Sequence, residues 1–328
     1  MILLQALCDI TAPSGHETAL HELIKAEIKD YVDEITIDAL GNLIAHKKGS
    51  GKRLMLAAHA DEIGLIVTYI EENGYIRVQN IGGVRPQYAL AQRVRFLNGT
   101  LGVVFYDQEK EVEKLKVEDL YIDIGAKNRE EALKRVQIGD VAGFLGEFVE
   151  QNGYILSKSL DDRAGCYVLL EALKRAKDTP NDIYAVFTSQ EELGLRGAKA
   201  GAYSVAPDIG VAIDVTDTGD MIGAVPMEVK LGGGAAIKIK DSYSISSPKV
   251  VALFETAAKQ HNIPYQREVL TRGGTDAGAI HVTRGGVPSI TLSIPTRYIH
   301  SPGEMVHKDD LEACIALLAA VMEQEIAN

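Results

Sequence analysis

The sequence predicts an α/β fold: a mostly parallel central sheet flanked by helices, interrupted by a small inserted β-rich domain. Three observations predict it. Apolar strand-like runs alternate with helical patterns up to about Gly64 and again after Leu160, as in sheets covered on both faces. Between them, from about Leu65 to Ser157, short strand-like runs punctuated by Gly and Asn dominate. Polar residues able to carry chemistry recur at the C-terminal ends of the predicted strands, where an open parallel sheet forms its ligand crevice. The expected division is one domain made of residues 1–64 and 158–328, and a second of residues 65–157 inserted into it.

The elements follow in order. Met1–Cys8 is apolar but has no basic start and too short an apolar core for a signal peptide, so it is expected to pack as a helix. Ser14 and Glu17 have the S-x-x-E spacing of a capping box ahead of Leu20, Leu23, Ile24 and Ile28, which predicts an amphipathic helix starting there. Strands are expected near 34–37, 42–46 and 53–58, the last ending in Ala58-His59-Ala60-Asp61-Glu62. The inserted segment carries strand-like runs at 65–69, 75–78, 93–96, 102–105 and 141–148, and one helix near 129–135 with Asn128 as its cap. Beyond it, helices are predicted at 163–177, 198–203, 248–260, 277–283 and 308–325. Strands are predicted between them at 183–188, 209–213, 266–270 and 289–293.

Composition narrows the function classes. Apolar residues make up 46% and charged residues 24% of 328, which excludes a disordered chain. With no Trp and six Phe, the core must be aliphatic. A formal charge of -12 argues against a partner held through phosphates, whether nucleic acid or membrane surface. No segment approaches 18 uninterrupted apolar residues, so no membrane span is expected. The three cysteines, Cys8, Cys166 and Cys314, are far apart and form no CxxC pair, which fits a reducing, cytoplasmic compartment. Gly232-Gly233-Gly234 lacks the residues that make a nucleotide-binding loop and reads as a turn.

The residues at the strand ends are His59, Asp61 and Glu62; Asp161 and Asp162; Glu191 and Glu192; Asp214; and His300. Each has an ordinary structural role open to it. Asp161-Asp162 could cap a helix, Glu191-Glu192 could favour a helix start, and Asp214 could open a turn. Together they place many carboxylates in one crevice, where mutual repulsion would protonate some of them. Two divalent cations remove that repulsion, and a donor set of two imidazoles and three carboxylates suits Zn²⁺, Co²⁺ or Mn²⁺.

The segments His59-Ala-Asp61-Glu62-Ile-Gly64, Ser159-Leu-Asp161-Asp162-Arg163-Ala-Gly165, Ser189-Gln-Glu191-Glu192-Leu-Gly194, Ala212-Ile-Asp214-Val-Thr216 and Ile299-His300-Ser-Pro302 resemble, in order, the motif set of the M42 family of metallo-aminopeptidases. Gly273-Gly274-Thr275-Asp276-Ala277 resembles a further family segment that shapes the wall of the site. The resemblance implies a zinc-peptidase-like catalytic domain and an insertion used for dimerisation. It implies two divalent metal ions per subunit: Asp161 bridging both, His59 and Asp214 completing one site, Glu192 and His300 the other. It makes Glu191 the general base that activates water and Asp61 the residue that orients His59. It implies a cis Asp161–Asp162 peptide, short peptides with a free N-terminus as substrates, and dimers that build a dodecamer. Three alternatives stay open at this point: a metal-dependent N-acyl amino acid deacylase, a glycoside hydrolase working through paired carboxylates, and a non-enzymatic metal-binding scaffold.

Overall fold

The computed structural model describes residues 1–326. Its two parts have separate cores, and they follow the change of texture along the sequence. An eleven-stranded sheet forms the larger part, and a closed six-stranded antiparallel barrel the smaller. The parallel pairing expected from the α/β pattern occupies the centre of the sheet. There strands Asp182–Thr188, Arg53–His59, Ile209–Thr216 and Ser289–Arg297 lie side by side in parallel. Antiparallel strands flank them: Leu43–Lys47 and Glu34–Ile37 on one side, Glu304–His307, Tyr154–Ser157 and Val149–Gln151 on the other.

Strand Arg53–His59 shows why this sheet is covered on both faces. Alternate residues of a strand point to opposite sides. Leu54, Leu56 and Ala58 enter the main core with helices Ile2–Asp9, Thr18–Ile28, Leu160–Arg175, Pro248–Gln260 and Lys308–Glu323. Met55 and Ala57 enter a smaller cluster under helices Arg196–Val205 and Ala277–Ile280. Both faces being apolar, the strand reads as an unbroken hydrophobic run.

The barrel has a core of its own, built from Leu65, Val67, Ile76, Val78, Val94, Phe96, Leu120 and Ile122 among others. Its strands run from Gly64–Ile70 to Val141–Phe144. The following hairpin, Val149–Gln151 and Tyr154–Ser157, lies within the expected insertion by sequence but pairs with Glu304–His307 in the large sheet.

Five strands were not singled out in the sequence: Leu120–Asp123, Val149–Gln151, Tyr154–Ser157, Ala235–Lys240 and Glu304–His307. Four of them are no more than four residues long. Strand Ala235–Lys240 carries Lys238, whose buried ammonium lies 3.1 Å from Glu268 Oε1 and breaks the apolar pattern. The capping box is a correction. Helix Thr18–Ile28 begins after Glu17 and has no side-chain cap. Ser14 Oγ donates to Asp61 Oδ2 at 2.5 Å, and Glu17 Oε1 accepts from the Gly15 and Gln190 backbone. The S-x-x-E pair thus makes no cap and instead reaches Asp61 and Gln190, distant in sequence. Asn128 does cap its helix, accepting from Glu131 N.

Candidate metal centre

The site grows out of the sheet edge. His59 is the last residue of its strand and pairs in register with Thr188. Ala57 pairs with Ala212, so His59 and Asp214, each two residues further on, reach the same edge. Glu191 and Glu192 lie in the turn after strand Asp182–Thr188, and His300 in the turn between strands Ser289–Arg297 and Glu304–His307. Asp161 and Asp162 are joined by a cis peptide and have non-helical backbone, so the regular helix starts after them.

Two donor clusters result, sharing one residue: His59, Asp161 and Asp214; and Asp161, Glu192 and His300. His59 Nε2 lies 2.9 Å from Asp161 Oδ1 and 4.0 Å from Asp214 Oδ1. His300 Nε2 lies 3.2 Å from Asp161 Oδ2 and 3.1 Å from Glu192 Oε1. The two oxygens of Asp161 thus face different clusters.

The electrostatics show what this gathering of charge demands. Burial, together with the nearby Asp161 carboxylate, pushes the Asp214 carboxyl up to about 8. Burial and then Asp214, Asp276 and Glu192 raise Glu191 well above its ordinary value, against the pull of His59. Burial alone would lower the pKa of His300, but Glu192 and Asp161 overcome it and carry it up to about 12. His59 is likewise raised well above its ordinary value, by Glu191, Asp161 and Asp61 against the effect of burial. The acids and imidazoles recruit protons to offset one another's charge. Divalent cations would do so with the imidazoles neutral, and the mixed N/O donor set fits borderline ions.

Comparison with known proteins agrees with that chemistry. The profile of the M42 glutamyl aminopeptidase family matches residues 41–317. The chain belongs to the M42 family. A protein of Acetivibrio thermocellus that carries a provisional aminopeptidase name is 52% identical over 317 residues, covering 96% of each chain. An aminopeptidase from the archaeon Desulfurococcus kamchatkensis superposes with a TM-score of 0.94 at 40% identity, covering 98% of this chain and 94% of that one. The Pyrococcus horikoshii TET1 peptidase, described as able to assemble into a tetrahedron or a large octahedral shell, gives 0.88 at 34% identity over 98% of each chain. This M42 protein is a metal-dependent aminopeptidase, and the two candidate clusters joined at Asp161 are consistent with a binuclear centre.

Around the M42 centre stands an outer set of carboxylates that grip backbone. Asp61 Oδ1 and Oδ2 accept from the backbone N–H of Glu191 and Glu192 at 3.0 and 3.2 Å. Asp61 Oδ1 also lies 3.4 Å from His59 Nδ1, whose other neighbour is the Asp61 carbonyl at 3.2 Å. Asp162 accepts from the His59 and Gly165 backbone. Glu304, which the sequence reading did not single out, accepts from the backbone of Asp161 and His300. Glu62 takes no part in either cluster. It binds Lys158 Nζ at 2.6 Å and Ala12 N at 2.7 Å, tying the N-terminal segment to the barrel junction.

A pocket of about 500 Å³ opens onto both clusters. Gly273, Gly274 and Thr275 line it, together with Leu195, Tyr243 and Leu270. The barrel contributes Gly83 and Arg85 to the same wall. A methyl on Gly83 would sit 2.4 Å from His300 Nδ1, and one on Gly82 would sit 2.7 Å from Glu192 Oε2. These two glycines let the barrel press directly on the second cluster.

Proposed function

We propose that this enzyme removes N-terminal residues from short peptides, with Glu191 as general base and zinc, cobalt or manganese in the two clusters. One observation carries the reading. Glu191 belongs to neither cluster yet lines the pocket they share, beside a glutamate that does belong to one. His59, Asp161 and Asp214 would hold one ion, and Asp161, Glu192 and His300 the other. When bound, the ions supply Lewis acidity that activates water and favours developing charge on the carbonyl oxygen. The residues of the chain do the remaining work. Asp61 fixes the His59 ring and, through the backbone of Glu191 and Glu192, aims both glutamates. Glu191 takes the proton of the attacking water and passes it to the leaving nitrogen. The imidazoles in both clusters also set the site apart from glycoside hydrolysis, which needs neither metal nor imidazole ligands.

The test is hydrolysis of an amino-acid anilide panel by the wild type and by Glu191→Gln. Losing a general base lowers kcat by ~10²–10⁴-fold, with both ions retained. Unchanged turnover with two ions bound would overturn the assignment. Running free-amino beside N-blocked peptides separates an aminopeptidase from a deacylase: cleavage confined to blocked substrates would favour the latter.

The residue division 1–64 plus 158–328 around an insertion of 65–157 belongs to the same proposal, with the insertion as a dimerisation domain. The tetrahedral or octahedral assembly described for the Pyrococcus horikoshii relative supports self-association, which we read as dimers that close into a dodecamer. Light scattering of the metal-loaded protein tests this, and a persistent monomer would remove it. A cytoplasmic location fits the three unpaired, buried cysteines. Among the described residues no helix is long and apolar enough to cross a membrane.

A further inference from the structure

Two of the proposed metal ligands, Asp161 and His300, have irregular backbone, and such backbone needs something to hold it. His300 follows Tyr298 in a turn where both residues are left-handed, with φ of 62° and 61°. Side-chain-bearing residues keep such backbone only where their surroundings over-determine it. On the other side of the cluster, Asp161 lies outside the regular part of its helix. Neither residue is held by a strand ladder, yet their side chains must meet within about 3 Å, the reach of a shared cation's donors.

One side chain reaches both. Glu304 is the first residue of strand Glu304–His307 and is 2% exposed. Its Oε2 accepts from Asp161 N at 2.9 Å, and its Oε1 accepts from His300 N at 2.9 Å. The placement comes from two ladders. The strand pairs antiparallel with Tyr154–Ser157, which sets Glu304 opposite Ser157, four residues before Asp161. It also pairs with the end of Ser289–Arg297, which leads into the His300 turn. Glu304 is therefore fixed where the two ligand-bearing segments leave the sheet. The arrangement carries a cost, since a buried carboxylate beside Asp161 adds negative charge to a crowded site. A carboxylate is still the side chain of this shape that offers an acceptor oxygen to each N–H; glutamine offers one acceptor and one donor.

We propose that Glu304 is a positioning residue that clamps the backbone of Asp161 to that of His300 and so assembles the Asp161–Glu192–His300 half of the centre. The proposal rests on the reading of those residues as metal ligands. It has an asymmetric consequence. His59 and Asp214 are carried by paired strands and keep their places without Glu304. The ion of the turn-borne cluster depends on the clamp, and the ion of the strand-borne cluster feels its loss only through Asp161.

The experiment withdraws zinc from the loaded full-length protein with a graded series of chelator concentrations and counts zinc per chain at each step. Substituting residues that support metal ligands weakens metal affinity by about 10–100-fold. In Glu304→Gln one ion should leave at a chelator concentration lower by about that factor, and the other should move far less. Glu304→Asp keeps both acceptors at shorter reach and should show the same selective loss more weakly, and it carries the test if the glutamine variant does not fold. His300→Ala is the reference. If it retains two ions, His300 is not a ligand and the reading beneath the proposal fails. If it loses one ion while a folded Glu304 variant holds both as the wild type does, the clamp is overturned. Equal weakening of both ions in the folded variants would also overturn it, because a general loss of stability has no reason to single out one site.

Discussion

The two halves of the metal centre share Asp161 but are built on different backbone. His59 and Asp214 extend from adjacent parallel strands, and their spacing is fixed by the ladder that also forms the core. Glu192 and His300 sit on turns, and their spacing is fixed by carboxylate-to-backbone bonds from Asp61 and Glu304, with the barrel pressing from outside. One half is positioned by the fold, the other by an added set of polar clamps. The difference teaches that ligand sets of equal count need not be equally robust. Removing parts of the strand-borne half should require damage to the sheet, whereas the turn-borne half should fail to single atoms placed outside it.

The largest effect tests the element common to both halves. Asp161→Ala should lower metal content from two ions per chain to fewer than one and take anilide hydrolysis to background. Elemental analysis of the folded variant decides, and one ion retained at full occupancy would show that the halves do not depend on a shared residue. A smaller and more selective effect is expected for Gly83→Ala. The new methyl would meet His300 Nδ1 at 2.4 Å, so the ring must move. One ion should then be held about 10–100-fold less tightly, with the strand-borne ion little changed. Equal loss of both would erase the contrast drawn above.

The last test leaves the ions in place and separates metal release in acid from unfolding in acid. His21 lies buried in helix Thr18–Ile28, where burial, and after it the charge of Arg163, lower its pKa to about 4. The folded value is below the unfolded one, so the unfolded chain takes up the proton first. His21 therefore costs no stability above about pH 6.5, and stability falls as the pH drops from there toward 4, by at most about 3 kcal/mol. His21→Gln should flatten that slope in denaturant titrations at pH 7 and 4.5 without changing the number of ions bound at pH 7. A slope identical to the wild type would assign the acid sensitivity to the carboxylate clusters instead.

Legibility in the sequence follows the same divide. Strand-borne His59 and Asp214 are visible because each ends an apolar run, and the α/β class follows from those runs. Glu191, Glu192 and His300 are visible as motif residues, and the structure gathers all of them at one pocket. Their supports are not visible. Glu304 opens a four-residue strand with no distinguishing pattern, and its partners are 143 and four residues away. Ser14 and Glu17 mislead because local spacing suits a helix cap, whereas Ser14 binds a carboxylate 47 residues on. Strand Ala235–Lys240 is masked by Lys238, whose charge is acceptable only because Glu268 lies beside it. Short-range patterns report what a segment does for itself and miss what it does for distant partners.

The bare backbone at positions 82 and 83 has a further consequence. Because the barrel touches the ring of His300 with no intervening side chain, any force that seats the barrel more firmly also seats the ion opposite it. Thermodynamic reciprocity requires the converse. If the protein associates through the barrel, as proposed above, that association and uptake of the turn-borne ion are linked equilibria, and each should shift with the concentration of the other's ligand.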